Sequence, residues 1–214
     1  MERQDVPGVL TVAEPSIIRC PWAKGEAMIA YHDHEWGRPV HDDIRLFELL
    51  ILEGAQAGLS WECVLRKRDA YRKAFAGFVP QVVAGFSAKK IERLMKNDGL
   101  IRNRLKLNSA VQNAKAFICL QNEFGSFDVW LWRYVDGQPR IRRARSPRSI
   151  PASTALSDRL SGDLRRRGFN FVGSTICYSF MQATGMVNDH LVECHCHPMN
   201  LQRPQNMSTP HYHA

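Results

Sequence analysis

Cysteine and histidine, two preferred ligands of zinc, occur near both ends of the middle part of this 214-residue sequence. Cys20 and His32 lie near its start, and His190 and Cys194 lie near its end. Two ligands from each end would suit a tetrahedral zinc ion in a closed, structural site that joins the two ends. The alternatives are that Cys20 is a buried apolar thiol and that residues 194–197 (Cys-His-Cys-His) are a frayed tail with incidental metal affinity.

Glu53 is a second candidate for chemistry, because it directly follows the apolar residues 49–52. An ionised carboxylate at such a place is costly unless a cation or hydrogen-bond donors meet it. Aromatic residues lie in the segments on either side of it: Trp22, Tyr31, Trp36 and Trp61. A planar base bound in a pocket would suit such aromatic faces with a carboxylate at its edge. The alternatives are a Glu53 at a helix end, turned to water or bonded to backbone amides, and four ordinary core aromatics.

The turn Asn-Asp-Gly, which ends at Gly99, precedes a predicted helix and forms a third candidate site. Backbone amides freed at a glycine turn ahead of a helix can bind a phosphate, and Arg102, Arg104 and Lys106 would add positive charge. Such a turn is common in helical proteins. The formal net charge of +8, however, favours a polyanionic partner, with nucleic acid ahead of a membrane surface.

The composition is that of an ordinary soluble globular protein, with 44% hydrophobic and 23% charged residues. No apolar run approaches the roughly 20 residues needed to span a bilayer, and the first residues have no signal-peptide layout. We therefore expect a cytoplasmic protein without a membrane partner. In a reducing compartment, the six cysteines indicate thiols or metal ligands rather than a disulfide scaffold.

The elements that must position these residues are predicted to be helices, because no stretch alternates convincingly at period two. The central helix has Asp42 or Asp43 as its N-cap and is apolar on nearly all faces, which is typical of a helix buried on most sides. Further helices are predicted at about 60–74, 80–86, 87–96, 103–124, 127–135, 157–167 and 174–184, and a loop with one short turn at 20–39. The fold class is therefore all-α, as one compact unit at 19–200 or two tightly packed lobes, with a flexible leader at 1–18 and a flexible tail at 201–214.

Five motifs contain most of the candidate residues. They are residues 31–37 (Tyr-His-Asp-His-Glu-Trp-Gly), 52–61 (Leu-Glu-Gly-Ala-Gln-Ala-Gly-Leu-Ser-Trp), 99–104 (Gly-Leu-Ile-Arg-Asn-Arg), 167–183 (Arg-Gly-Phe-Asn-Phe-Val-Gly-Ser-Thr-Ile-Cys-Tyr-Ser-Phe-Met-Gln-Ala) and 187–190 (Val-Asn-Asp-His). In order and spacing they resemble the DNA-3-methyladenine glycosylase I family, over about residues 20–198. The resemblance implies a helix-hairpin-helix DNA glycosylase fold, with the hairpin unit at about 87–124. It also implies one structural Zn²⁺ per chain, which joins the N- and C-terminal segments through Cys20, His32, His190 and Cys194.

The resemblance implies a base-binding role for the residues around Glu53. Glu53 itself matches the carboxylate that recognises the methylated adenine. Four aromatic residues match positions of the same pocket: Tyr31 and Trp61, which stack on the base, and Trp22 and Trp36, which surround it. The sequence departs from the family at Met28, where the family often has a tyrosine, so that a hydroxyl group is missing there.

The implied activity is flipping and hydrolytic release of 3-methyladenine from alkylated double-stranded DNA, the start of base excision repair. Gly99, Arg102 and Arg104 would contact the DNA backbone, and free 3-methyladenine would be a product ligand. No lysine directly follows the hairpin glycine, so that no Schiff-base nucleophile is expected and the enzyme is predicted to be monofunctional. We also expect it to be a monomer. The alternative is a non-catalytic, zinc-containing helical module that binds nucleic acid or alkylated bases.

Overall fold

The computed structural model describes residues 17–201. The predicted leader and tail lie outside the described residues, apart from residues 17, 18 and 201. Ten α-helices form the described part: α1 (Glu26–His34), α2 (Asp43–Gln56), α3 (Trp61–Ala74), α4 (Pro80–Ala84), α5 (Ala88–Met95), α6 (Arg104–Phe124), α7 (Phe127–Trp132), α8 (Ala155–Arg166), α9 (Ser174–Ala183) and α10 (Pro198–Leu201). Within these residues, no helix is both long enough and apolar enough to cross a membrane.

Short polar side chains begin most of the helices that the sequence predicts. Each accepts a hydrogen bond from a backbone amide in the first turn of its helix: Asp42, Ser60, Ser87, Asn103, Ser126 and Thr154. Pro80 occupies the first position of α4, where its missing amide hydrogen costs no hydrogen bond. The predicted caps Asp42, Ser60 and Ser87 are thereby confirmed, and so is the predicted start of α4.

The prediction of a loop at 20–39 is wrong, because residues Glu26–His34 form α1. This helix has no side-chain cap at Gly25 and buries only Tyr31 and His32, so that its sequence carries no apolar stripe. It packs against α3, and tertiary contacts rather than local propensity stabilise it. The helix predicted at 157 also begins earlier, at Ala155, because Thr154 and Ser157 form a reciprocal capping box.

The all-α prediction needs one small correction. Strands β1 (Arg140–Ile141) and β2 (Val187–Asn188) pair in parallel, with Arg140 opposite Val187. Two residues are too few to show an alternating pattern, so that the sequence has no signal for either strand. The pair attaches the segment before α8 to the segment after α9.

Helix α2 lies at the centre of the hydrophobic core, as its sequence predicts. Residues 46–52 of this helix are all buried, and α2 packs against α3, α6, α7 and α9. The only polar side chain among them is that of Glu48, which is 6% exposed. A smaller apolar cluster lies apart from this core and contains Cys20, Tyr31, Trp36, Cys194 and Cys196. The second cluster brings the two ends of the described chain together beside α1.

Glu48 is the centre of an ion-pair network that joins three helices. Its carboxylate accepts hydrogen bonds from Arg45, from Arg68 Nε at 2.9 Å and from Arg72 Nε at 2.8 Å. Arg68 also donates to Glu35 at the end of α1, at 2.7 and 2.9 Å. Burial opposes the ionisation of Glu48, but the three arginines outweigh it and lower the pKa of this carboxyl. The network therefore holds α1 against α2 and α3, the helices that carry the candidate base-site residues.

Candidate active site

A pocket of about 360 Å³ opens beside the second half of α2. All five residues that the sequence singles out for base binding line it: Trp22, Tyr31, Trp36, Glu53 and Trp61. Met28 lines it as well, so that the departure from the family motif falls inside the pocket. The volume is in the range of small-ligand sites and the lining is mainly apolar, as expected for a site that holds a planar base.

Glu53 lies within α2, one turn before its end at Gln56, and is 4% exposed. Its Oε2 atom has no hydrogen-bond partner among residues 17–201. Burial raises the pKa of this carboxyl to about 8. The alternative that Glu53 is turned to water or bonded to backbone amides is therefore wrong. A buried, unsatisfied carboxylate at the wall of a pocket is typical of a functional site.

The aromatic side chains form two contacting pairs around the pocket, one tilted and one edge-to-face. The rings of Tyr31 and Trp61 have centroids 5.2 Å apart at an interplanar angle of 48°, and those of Trp22 and Trp36 are 5.0 Å apart at 78°. Trp61 Nε1 is buried and has no acceptor in the described part of the chain. Burial, and then the nearby Glu53, raise the pKa of Tyr31 well above its usual value. The pocket thus offers aromatic faces, one unsatisfied donor and one unsatisfied acceptor.

Sequence reasoning missed five further residues of this pocket: Gln56, Pro147, Ile150, Ser179 and Gln182. Gln56 follows Glu53 by three residues and shares its helix face, so that helical spacing is a signal for it. Ser179 and Gln182 have the same spacing on α9, but only the packing of α9 against α2 brings them to the pocket. Gln182 is fixed by a hydrogen bond from its side-chain amide to the buried Asp189, at 2.7 Å.

The four predicted zinc ligands converge beside the pocket, although up to 174 positions separate them in the chain. Cys194 Sγ lies 3.3 Å from His32 Nε2 and 3.5 Å from His190 Nδ1, and Cys20 Sγ lies 3.7 Å from His190 Nδ1. All four donor atoms lie within 4.8 Å of one another, and all four residues are buried. Zinc bonds of about 2.3 Å to sulfur and about 2.0 Å to nitrogen place tetrahedral ligands about 3.5 Å apart. The separations in this cluster match that geometry.

Asp33 contacts His32 at Nδ1, whereas Cys194 lies at Nε2 of the same ring. Sequence reasoning did not single out Asp33. Its Oδ1 atom lies 2.7 Å from His32 Nδ1 and 3.0 Å from His195 Nε2, and its carboxylate accepts from Arg19 at 2.9 and 3.0 Å. Carboxylates commonly orient metal-binding imidazoles in this way. The residue directly follows His32, and that adjacency is the signal which could have found it. His195 therefore contacts Asp33, the residue that also contacts His32. The backbone amide of Cys196 donates a hydrogen bond to Cys194 Sγ at 3.4 Å.

The hairpin is formed by α5, the turn after it and α6, as predicted. The backbone amide of Gly99 donates to Asn97 Oδ1 at 2.9 Å and so already has an acceptor. The exposed guanidinium groups of Arg102 and Arg104 pair with Asp98 and Glu92. Such solvent-exposed pairs contribute little to stability.

Lys106 does not extend this surface, in contrast to the sequence expectation. Its ammonium group donates to the carbonyl oxygens of Ala55, at 2.8 Å, and Ala57, at 2.7 Å. Both acceptors belong to the end of α2. Lys106 therefore binds the helix that carries Glu53 rather than adding free charge to the hairpin.

Fold and site together define a mainly helical protein in which a helix-hairpin-helix unit adjoins an aromatic pocket with a buried carboxylate. The model of the methyladenine glycosylase family matches residues 22–197. DNA-3-methyladenine glycosylase 1 of Escherichia coli (strain K12) is 48% identical over 183 residues, which cover 85% of this chain and 98% of that protein. This chain belongs to the methyladenine glycosylase family.

Solved structures agree with this assignment. A crystal structure of 3-methyladenine DNA glycosylase I superposes with a TM-score of 0.83 at 49% identity, over 85% of this chain and all of that chain. A variant of 3-methyladenine DNA glycosylase I in complex with 3-methyladenine superposes with a TM-score of 0.80 at 36% identity, over 82% of this chain and 94% of that chain. The resemblance inferred from the sequence motifs is therefore confirmed.

Proposed function

We propose that this protein is a monofunctional DNA glycosylase that flips 3-methyladenine out of alkylated DNA and releases it by hydrolysis, as the first step of base excision repair. The observation that carries the proposal is the Oε2 atom of Glu53, which is buried, has no partner within residues 17–201 and lies at the wall of an aromatic pocket. The names of the relatives support the same activity.

The proposed selectivity follows from charge. Methylation at N3 gives adenine a formal positive charge, which weakens its N-glycosidic bond and makes the base a good leaving group. The faces of Tyr31 and Trp61 attract a cation, and a carboxylate that is shielded from water attracts it more strongly than an exposed one. Neutral adenine offers no such attraction to offset the desolvation of Glu53. The positive charge therefore lets the enzyme distinguish 3-methyladenine from adenine, although the two bases differ in shape by only one methyl group.

The protonation of Glu53 is part of this proposal. Burial raises its pKa to about 8, so that the empty pocket holds the carboxyl mainly in its neutral form at pH 7. A bound cationic base favours the ionised form and lowers this pKa. Glu53 thus becomes charged when the correct base arrives, and its charge lies next to the base that leaves.

The chemistry needs little further assistance from the protein. Glu53 is the one carboxylate among the described residues that line the pocket. The residue after Gly99 is Leu100, so that no lysine directly follows the hairpin glycine to form a Schiff base. We propose direct hydrolysis by water, in which the positive charge already on the base supplies most of the driving force for bond cleavage.

Duplex DNA hides the base, and we propose that the hairpin holds the backbone while the base is flipped out. Arg102 and Arg104 exchange their surface carboxylates for phosphates, and Gly99 keeps the turn close to the backbone. Met28 replaces a hydrogen-bonding side chain with an apolar one in the pocket. The enzyme therefore depends more on Glu53 and on aromatic stacking for recognition.

We further propose one zinc ion per chain, held by Cys20, His32, His190 and Cys194. The donor separations and the support from Asp33 fit a closed structural site. When bound, the ion supplies a crosslink between the two ends of the folded part, and it takes no part in base release.

We propose that residues 19–200 form one unit that acts as a monomer, because the base pocket, the hairpin and the metal cluster all belong to a single chain. The partners are double-stranded DNA with alkylated bases and free 3-methyladenine as product. The proposal also places the protein in the cytoplasm, the compartment that holds the chromosomal DNA of bacteria such as the relative named above.

The test is chromatography of the bases that pure protein releases from methylated duplex DNA. The wild-type protein is expected to release 3-methyladenine, and Glu53→Gln is expected to release it roughly a hundredfold more slowly at unchanged DNA affinity. Glu62→Gln, an exposed position on α3, is the matched control and is expected to behave as the wild type. Unchanged release by Glu53→Gln would remove Glu53 from its role. DNA binding without any release by the wild type would favour the non-catalytic module.

A further inference from the structure

A second cavity lies away from the base pocket. It is an open cleft of about 610 Å³ between α7, the turn after it and α8. Four of the seven residues that line it are arginines: Arg133, Arg159, Arg166 and Arg167. No residue of this arginine cleft lines the base pocket, and the proposed activity does not use it.

Aromatic rings hold the guanidinium groups of the arginine cleft in place. The guanidinium carbon of Arg133 lies 4.3 Å from the ring centroid of Phe124, and that of Arg159 lies 5.2 Å from the ring of Tyr134. The guanidinium of Arg167 contacts the ring of Phe124 as well, at 5.2 Å. A guanidinium group that is held over a ring can still direct N–H groups towards two oxygens of a phosphate.

Carboxylates neutralise only half of this positive charge. Asp163 bonds to Arg166 and to the hydroxyl of Tyr134, and Glu123 accepts both terminal nitrogens of Arg167, at 2.6 and 3.1 Å. Neither Arg133 nor Arg159 has a carboxylate within 4.0 Å in the part of the chain that the structure describes. Arg133 Nε donates to the carbonyl oxygen of Trp130 at 3.4 Å, so that the terminal nitrogens of Arg133 and the guanidinium group of Arg159 remain available to an anion within the described part of the chain.

The position of the arginine cleft separates it from the hairpin. Arg104 begins α6 beside the hairpin, whereas Phe124, which packs under two cleft arginines, ends it. Helix α6 has 21 residues, which at 1.5 Å per residue span about 30 Å. An anion in the cleft is thus bound about 30 Å from a phosphate at the hairpin.

We propose that the arginine cleft binds the phosphate backbone of DNA at a second contact, separate from both the hairpin and the base pocket. The inference rests on the proposed function. The cleft is wide and open, whereas sites for free phosphorylated molecules enclose most of their ligand. An open row of arginines suits a continuous backbone, and contacts of this kind carry no sequence information. The second contact therefore strengthens DNA binding alike for all sequences.

The test compares two double variants that remove the same charge. Arg133→Gln with Arg159→Gln changes the cleft, and Lys73→Gln with Lys115→Gln changes two exposed lysines outside it. Binding to a duplex long enough to reach both sites is measured over a range of salt concentrations. Each phosphate contact contributes about 0.9 to the slope of log affinity against log salt. The cleft variant is expected to lose about 1.8 of this slope and roughly tenfold in affinity at moderate salt, whereas the control keeps most of both.

Three results would overturn the inference. One is a cleft variant with the salt slope of the wild type, and another is an equal loss of slope in the lysine control. The third is saturable binding of inorganic pyrophosphate that the arginine substitutions abolish while the DNA slope stays unchanged, since this would assign the cleft to a free phosphorylated ligand. A wild-type protein that binds no DNA would instead contradict the proposed function. Equal melting temperatures of wild type and cleft variant show that the fold is retained.

Discussion

Lys106 donates a hydrogen bond from its ammonium group to the carbonyl oxygen of Ala55 at 2.8 Å. Ala55 lies two residues beyond Glu53 in the last turn of α2, and Lys106 lies in the first turn of α6, the second helix of the hairpin. One cation therefore joins the helix end that carries the proposed base-binding carboxylate to the unit that is proposed to hold DNA. A cation at this place also offsets the partial negative charge of the helix C-terminus.

Lys106→Met is expected to lower the free energy of unfolding by about 2 kcal/mol, because hydrogen bonds to two carbonyl oxygens lose their charged donor. It should also slow base release, since the end of α2 is no longer held against α6. Urea denaturation and the base-release assay measure the two effects. Lys115→Met, an exposed residue on the same helix, is the control. Equal stability of the two variants would show that the contact with α2 contributes nothing.

The stability of the ligand-free protein is expected to fall as pH rises from 4.5 to 8, through Glu53. The folded state holds a proton on Glu53 up to about pH 8, whereas the unfolded carboxyl loses it near its usual pKa of 4.5. In this window the folded state binds more protons, so that rising pH favours unfolding by up to about 4 kcal/mol. Glu53→Gln removes the dependence and should be the more stable protein at pH 8.

Thermal melting of wild type and Glu53→Gln between pH 5 and pH 8 checks this expectation. The difference in melting temperature should grow with pH, and Glu62→Gln should follow the wild type throughout. A constant difference would mean that the carboxyl of Glu53 is ionised in the empty pocket.

Removal of metal is expected to destabilise the protein. Pure protein should contain about one equivalent of zinc, and a chelator should lower its melting temperature, because a structural ion stabilises the fold that provides its ligands. Cys194→Ala should lose the metal and melt earlier, whereas Cys119→Ala, at an exposed free cysteine, should keep both properties of the wild type. Metal-free protein with an unchanged melting temperature would contradict the zinc proposal.

Gly99 is expected to tolerate no side chain while Ala70 faces it. A Cβ atom added at Gly99 would lie 2.6 Å from the Cβ of Ala70, so that one helix or the hairpin must shift. Gly99→Ala should therefore cost about 1–3 kcal/mol of stability and weaken DNA binding alike across sequences.

Ala70→Gly should restore part of both losses when it is combined with Gly99→Ala, because the overlapping methyl group is gone. Chemical denaturation and DNA affinities for two unrelated duplexes measure the pair. A double variant no better than Gly99→Ala alone would place the cause elsewhere in the hairpin.

Local features of the sequence were sufficient for most helix boundaries. Ser60, Ser87 and Asp42 cap their helices by bonds that span only three residues, so that the signal and the structure lie in the same short stretch. The uncapped α1 was missed for the complementary reason, because it packs against α3 and its His32 meets Cys194, 162 positions away in the chain.

The candidate site shows the same division. Helical spacing and family-like motifs pointed to Glu53, its aromatic neighbours and the four proposed metal ligands. The burial and protonation of Glu53 could not be predicted from the sequence, because the full set of spatial neighbours decides whether a carboxylate contacts water, a cation or neither. Packing between helices that are distant in sequence places Ser179 and Gln182 in the pocket. Such packing also directs Lys106 to the end of α2, away from the hairpin surface where the sequence predicts it.

By itself, then, the sequence determined the helical class, most helix starts and the residue types capable of chemistry, since these depend on periodicity, caps and composition. The tertiary structure alone decided which side chains share a cavity, that Glu53 Oε2 is buried without a partner among the described residues, and that four arginines from the turn after α7 and from α8 and its C-cap face one cleft. The physical reason is the range in the chain over which each kind of interaction acts. Hydrogen bonds of a cap act over three or four residues, whereas desolvation and charge depend on every atom nearby, wherever it stands in the chain.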